Sequence, residues 1–410
     1  MLPRLKFPFD ELGNEILDKF PVDVFKSDKT TFLDPALAGG QIVLLIVNRL
    51  KAYGHSDANI ASRVWGLAED IIDLNFAVNK YNIIGTYEVG GIEKLEEWAR
   101  MGKKFDVIIG NPPYQDPKEK NRKIWKEFVI KSFSILKEDG IFSFITPNNW
   151  TANVDNLYKN YFLDKTPLYI NLNECARYFP GVSTPFTYYI IKNTQPIDGP
   201  LTHIISMDPA TKQTSKMDIQ LGSVFPDFLP THVSELIVSI LQKTTFSTLP
   251  KFPIYRSCVY HTDTRKKGYI SEHQSSEYYI PVLYSYANTR AAARYYWARV
   301  PNERQQGLRL VIWSRPAAYE KMRVTTDATT EGFFHLAVAT QEEGDNAKGA
   351  LTLKLYKFII TNMTPGLNLL SPVMSNLPAV DLSRSWTNAE LYKHFNLTVE
   401  EIQLIEDTIK

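Results

Sequence analysis

From about residue 30 to 192 the chain alternates short apolar runs with longer amphipathic segments, the rhythm of a parallel sheet covered by helices. The runs TTFLDP, ASRVWGLAE, NIIGTYE, FDVIIGNPP, IFSFITP, LYINLN and TPFTYYIIK predict seven strands. Between the fourth and fifth, KIWKEFVIKSFSILKEDG brings Ile124, Phe128 and Ile135 near one helical face. That spacing predicts a crossover helix ending at Gly140 in a left-handed cap. After Asn193 the rhythm stops at QPIDGP and gives way to a stretch rich in Pro, Thr and Ser. A boundary near residue 200 is therefore expected, with domains at 1–199 and 200–410. Thr387-x-x-Glu390 and Thr398-x-x-Glu401 are capping boxes, each opening a short helix of structural role near the end of the chain.

Composition narrows the class. With 44% hydrophobic and 22% charged residues among 410, the chain reads as an ordinary globular protein and excludes extended disorder. Two cysteines without a C-x-x-C pair exclude a disulfide framework and a cysteine-rich zinc site, and no metal is expected. The longest apolar run, IVLLIV at 42–47, is too short to span a bilayer, and the N-terminus carries no apolar signal segment. A reducing cytoplasm, with no membrane partner, is the expected compartment.

The net charge of +1 hides an uneven distribution. Residues 251–323 hold 13 Lys or Arg against 5 acids, a surplus of 8, whereas 324–410 hold 6 basic against 11 acidic residues. The same basic band contains ten tyrosines and two tryptophans. Cations neutralise phosphates and aromatic faces stack on bases, so Arg265, Lys266, Lys267, Arg290, Arg294 and Arg299 are candidate nucleic-acid contacts. A tyrosine-rich β core with solvated charges would leave the same composition.

The sharpest chemical signal is Asn111-Pro112-Pro113-Tyr114, directly after the apolar strand FDVIIG. Ligands of open parallel sheets bind beyond the carboxyl ends of strands, where this tetrapeptide emerges. The prolines stiffen the backbone and remove two N–H donors. Asn111 Oδ1 and the Pro112 carbonyl could accept both hydrogens of a planar amino group, with Tyr114 stacked on the ring that bears it. Withdrawing those hydrogens from conjugation lets the nitrogen pyramidalise and attack an electrophilic methyl, by positioning and electrostatics alone.

A second element, Asp34-Pro35-Ala36-Leu37-Ala38-Gly39-Gly40, ends the first strand and opens a helix at Gln41. Small residues there admit a ligand to the backbone, and free N–H groups at the helix start favour an anionic end. It is neither a P-loop nor a dinucleotide fingerprint. Glu69 and Asp70 end the second strand and Glu88 the third. A carboxylate after a second strand commonly holds a ribose diol; either of the first two could do so, and each could equally be a solvated loop residue.

Together these elements resemble the gamma-class amino DNA methyltransferases, the adenine-specific N6 modification enzymes of type II restriction-modification systems, over most of the first 200 residues. The resemblance implies a Rossmann-like α/β catalytic domain binding S-adenosylmethionine, followed by a mixed α+β target recognition domain, with double-stranded DNA as substrate. It implies cofactor contacts from Phe7 and Pro8, from Asp34, Pro35, Ala36, Gly39 and Gly40, from Glu69 or Asp70, and from Glu88. It assigns catalysis to Asn111, Pro112 and Tyr114. Tyr178-Phe179-Pro180-Gly181-Val182-Ser183-Thr184 resembles the family motif that supplies a second ring, so Phe179 is expected to face Tyr114 across an adenine flipped out of the duplex.

Other readings share the tetrapeptide: methylation of ribosomal RNA, methylation of a protein glutamine, or a DNA-binding relic without activity. About 210 residues after the tetrapeptide domain favour a polynucleotide substrate over the release-factor enzymes, whose extra domain comes first. No Pro-Asp with a following Glu-x-Lys stands in a strand context. Modification without cleavage is expected, and a companion restriction endonuclease is compatible with it.

Overall fold

All seven predicted strands form in a computed structural model that describes residues 9–409 apart from 117–118, 120–121, 154, 180–184, 197–198, 209–210, 257–258, 261–267, 286–292, 315–320 and 365–370. They are β1 (Phe32–Asp34), β2 (Val64–Ala68), β3 (Thr86–Val89), β4 (Phe105–Gly110), β5 (Leu136–Pro147), β6 (Thr166–Asn171) and β7 (Phe186–Lys192). Around them run α1 (Phe9–Leu17), α2 (Asp23–Lys26), α3 (Gln41–Ala52), α4 (Asp57–Arg63), α5 (Ile71–Tyr81), α6 (Ile92–Arg100) and α7 (Trp125–Ile135). The sheet continues through β8 (Leu201–Met207) and β9 (Thr214–Gln220), in the order β3-β2-β1-β4-β5-β7-β6-β8-β9. β1 to β5 are parallel, and β7 runs antiparallel to both its neighbours.

This is the expected Rossmann-like α/β arrangement. Its central strands are buried on both faces, which is why they read as continuous apolar runs: Val107 and Ile108 of β4 are fully enclosed. The apolar IVLLIV run forms the buried side of α3, whose Ile42, Val43, Leu45, Ile46, Val47 and Leu50 enter the core. Strand order reverses at β1, which lies between β2 and β4, so a crevice opens beyond the carboxyl ends of β1 and β4. Among the described residues no helix is long and apolar enough to cross a membrane.

Two expectations change. The boundary drawn near residue 200 falls inside the first unit, which extends to Asp227, the second running from Phe228 to Lys410. β8 joins the sheet by parallel pairing with Tyr169, Ile170 and Asn171 of β6, and β9 closes the edge with alternating exposed positions. The half-solvated edge strand β9 carries a weaker apolar signal than the central strands. The crossover helix stops at Ile135, five residues before Gly140, and Leu136 is already extended. The left-handed residue in this stretch is Asp139 at φ 60°. Gly140 serves close packing instead: a Cβ there would lie 2.9 Å from the Lys137 carbonyl oxygen and 3.0 Å from that of Asp106.

The second unit is mixed α+β. Two four-stranded sheets are built from β10 (Ile254–Arg256), β11 (Ile270–Ser271), β12 (Ile280–Ser285), β13 (Arg294–Ala298), β14 (Arg309–Ser314), β15 (Arg323–Thr325), β16 (Ala328–Thr329) and β17 (Phe333–Val338). Their orders are β10-β17-β14-β15 and β11-β13-β12-β16. Both capping boxes form. Glu401 of the second also accepts from Lys243 Nζ at 2.8 Å, tying the last helix to Glu235–Lys243.

Candidate active site

The loop after β1 and the loop after β4 approach each other because neither carries bulk at the crossing. A Cβ on Gly110 would stand 3.0 Å from Asp34 Oδ1 and 3.2 Å from Pro35 Cδ. Asp34 Oδ1 accepts the Ala36 N–H at 3.0 Å, which turns the chain sharply out of the strand. Gly40 then takes φ 76° as the N-cap of α3. Ala38 also has positive φ, 41°, a region that side-chain-bearing residues seldom occupy. Burial pushes the Asp34 carboxyl up to about 7 from its ordinary 3.8, and the Ala36 N–H offsets only part of this.

Asn111 and Pro113 open onto a cleft of about 650 Å³ at this end of the sheet. Its first wall is Pro35, Ala36 and Ala38; Glu69 and Asp73 contribute from the α5 side, and Gly90, Gly91 and Ile92 from the start of α6. Glu93, Glu96, Asp116 and Glu127 also line it, with Arg122. That guanidinium is engaged by Glu127 at 2.9 and 3.0 Å and by Asp116 at 3.3 Å, so the lining is net acidic.

The candidate acids separate. Asp70 is the N-cap of α5 and accepts the Asp73 N–H at 2.8 Å. Glu69, one residue earlier, lines the cleft. Glu88 bridges Lys94 at 3.0 Å and Lys103 at 3.8 Å and is not among the residues lining the cleft. Asp73 and the Gly90–Gly91 pair escaped the sequence reading, although two glycines directly after a strand were a usable signal.

Tyr114 does not point into the open cleft. Its hydroxyl donates to Asn111 Oδ1 at 2.5 Å, and its ring lies 5.1 Å from that of Phe186. Burial raises the phenol far above its ordinary range. Phe179 is buried, its ring 4.5 Å from Phe186. Phe186 thus contacts both rings expected to enclose a base. Phe7 and Pro8, and residues 180–184 of the second aromatic motif, lie outside the described residues.

In the second unit the described residues of the basic band include short β-strands, and its aromatics divide between core and surface. Tyr260, Tyr296 and Trp313 are buried, whereas Tyr255 and Tyr279 are exposed. Arg294 opens β13 and Arg299 directly follows it; both are exposed and lie over the rings of Tyr284 and Tyr278 at 5.7 and 5.9 Å. Arg299 also bridges Glu277 at 2.6 Å. Arg265, Lys266, Lys267 and Arg290 lie outside the described residues.

Residues 69–173, from the second strand's acid through the tetrapeptide and α7 to just past β6, match the profile of the Eco57I restriction-modification methylase family. No curated protein matches the chain. Among solved structures, the M protein of the type I restriction enzyme EcoKI is similar at 14% identity and TM-score 0.38, over 50% of this chain and 50% of its own. The type IIG restriction endonuclease BpuSI is similar at 10% identity and TM-score 0.41, over 97% of this chain and 62% of its own. TrmN from Thermus thermophilus is similar at 16% identity and TM-score 0.30, over 44% of this chain and 47% of its own. The chain thus spans about half the length of the EcoKI subunit.

Proposed function

We propose, from the match of residues 69–173 to the Eco57I restriction-modification methylase family, that the chain is an S-adenosylmethionine-dependent, site-specific DNA adenine N6-methyltransferase. The observation that carries this reading is Asn111-Pro112-Pro113-Tyr114 leaving β4 at the switch point of the sheet, with Asn111 on the cleft wall.

The cleft fits the cofactor by size and charge. About 650 Å³ is ample for a nucleoside of that length. An acid-lined wall suits a ligand with sulfonium and ammonium centres. Bound there, S-adenosylmethionine supplies an electrophilic methyl group. Pro35, Ala36 and Ala38, in the turn that buried Asp34 fixes through the Ala36 N–H, hold one end, and Glu69 takes the ribose diol, because Asp70 is committed to capping α5. Glu88, neutralised by two lysines, serves the fold of this corner.

Asn111 Oδ1 and the Pro112 carbonyl accept the two N6 hydrogens of an adenine turned out of double-stranded DNA. That geometry localises the nitrogen lone pair, a C–N bond forms as the donor's C–S bond breaks, and the surplus N6 proton leaves to solvent. The first unit is assigned to catalysis and the second to target recognition, with Arg265, Lys266, Lys267, Arg290, Arg294 and Arg299 meeting phosphates. A companion restriction endonuclease is compatible with this assignment.

The test is direct: cells lacking other methylases express the chain, and their DNA is sequenced with detection of modified bases. N6-methyladenine at one sequence context, lost with Asn111→Ala, is expected. DNA without modified adenine from cells containing folded protein would reject the assignment.

A further inference from the structure

We infer that Phe186 is a further residue of the base pocket, and that with the Tyr114 hydroxyl it keeps this pocket shut until a target adenine is delivered. The inference rests on the reading of Asn111 as the acceptor of the target's amino group. The oxygen required for that task is already occupied, since Tyr114 donates to Asn111 Oδ1 at 2.5 Å. The ring space is occupied as well: Phe186 lies 5.1 Å from Tyr114 and 4.5 Å from Phe179, tilted 36° and 34° to them. Phe179 and Phe186 are both buried. The hydroxyl stands in for the amino donor, and the phenyl ring stands in for the purine.

One movement clears both places. Turning the Tyr114 ring away from Phe186 also withdraws its hydroxyl from Asn111, so the acceptor is released as the slot opens. The backbone of Phe186 is held, because its carbonyl accepts from Cys175 Sγ at 3.3 Å and its residue pairs with Pro147 across the sheet. Opening therefore falls to the side chains. A base that offers no N–H pair cannot replace the tyrosine hydroxyl at Asn111, and it leaves a buried acceptor unsatisfied. The lock thereby adds selectivity for an amino-bearing purine, beyond what the recognition unit reads on the duplex.

The test uses the full chain and two duplexes containing its methylated sequence, one intact and one with the target base removed to leave an abasic sugar. Tyr114→Phe keeps the ring and deletes only the bond to Asn111. It should bind the intact duplex about 3- to 10-fold more tightly than the parent protein, the range of one neutral hydrogen bond. The abasic duplex needs no open slot, so its affinity should change by less than about twofold. Phe186→Ala should shift the intact duplex in the same direction; if that variant does not fold, Tyr114→Phe still decides. Equal changes on both duplexes, or none on the intact one, would overturn the lock while leaving methylation in place. Absence of methyl transfer by the parent protein to any DNA would instead remove the assignment of Asn111, and this inference with it.

Discussion

The cleft of the first unit and the basic strands of the second are built with opposite charge. The cleft gathers Glu69, Asp73, Glu93, Glu96, Asp116 and Glu127 around an Arg122 that is already paired. The second unit presents Arg294 and Arg299 beside tyrosine rings at exposed positions. An acidic wall attracts a cationic cofactor, accepts a neutral base and repels phosphate. A basic, aromatic face does the reverse. The contrast teaches that the near-zero net charge is a sum of two specialised surfaces, one suited to a cationic ligand and the other to anionic groups.

The largest expected effect breaks the cleft side alone. Asn111→Ala should lower the methyl-transfer rate by about 100-fold or more, the order seen when a preorganised polar group is removed from a reacting centre. Cofactor affinity, read by calorimetry, should stay within about threefold. Equal losses in both would mean that Asn111 holds the cleft together and does not act on the base.

The next largest sharpens the charge contrast. Replacing Arg294 and Arg299 together by Gln should weaken DNA binding by about 10-fold or more near physiological salt and reduce the salt slope by about 2. S-adenosylmethionine affinity should be untouched. Unchanged salt dependence would place the DNA surface elsewhere.

A pH experiment examines the cleft's own electrostatics. Asp34 is raised to about 7 by burial, so between its ordinary 3.8 and about 7 the folded protein holds a proton that the unfolded chain has lost. Stability without cofactor should therefore fall as pH rises through that window, by about 4 kcal/mol at most. A cationic ligand favours the ionised carboxylate, so S-adenosylmethionine should bind up to about 10-fold more tightly at pH 8 than at pH 6. Asp34→Asn should flatten both profiles in thermal melts and calorimetry.

The smallest expected effect concerns backbone strain. Ala38 sits at φ 41°, where glycine is the residue without penalty. Ala38→Gly should raise stability by about 1 kcal/mol, visible as a rise of a few degrees in Tm. A fall would show that the methyl group's packing outweighs the strained dihedral.

Much of this architecture is local in origin and so was legible before any coordinates. Central strands buried on two faces announce themselves as apolar runs, and a tetrapeptide with two prolines has few conformations to choose from. Capping boxes close within four residues, and both formed. The far end of the sheet is not legible in the same way: β9 is a half-solvated edge strand, and β8, paired on both sides, follows the turn residues of QPIDGP that suggest a boundary, so the first unit extends to Asp227 and not to 199. Gly140 was misread as a cap because a glycine required by contact from a neighbouring strand looks the same in one dimension as a glycine required by its own φ.

By itself the sequence determined the strand-helix rhythm, the placement of Asn111-Pro112-Pro113-Tyr114 after a buried strand, and the opposite charges of its segments, all properties of neighbours along the chain. Only the tertiary structure decided that Glu69 and not Asp70 faces the cleft, that Glu88 is held by Lys94 and Lys103, and that Phe186 lies against both Tyr114 and Phe179. Those outcomes depend on which partner reaches a side chain first in space, and residues 72 positions apart, as Tyr114 and Phe186 are, meet only once the sheet has assembled.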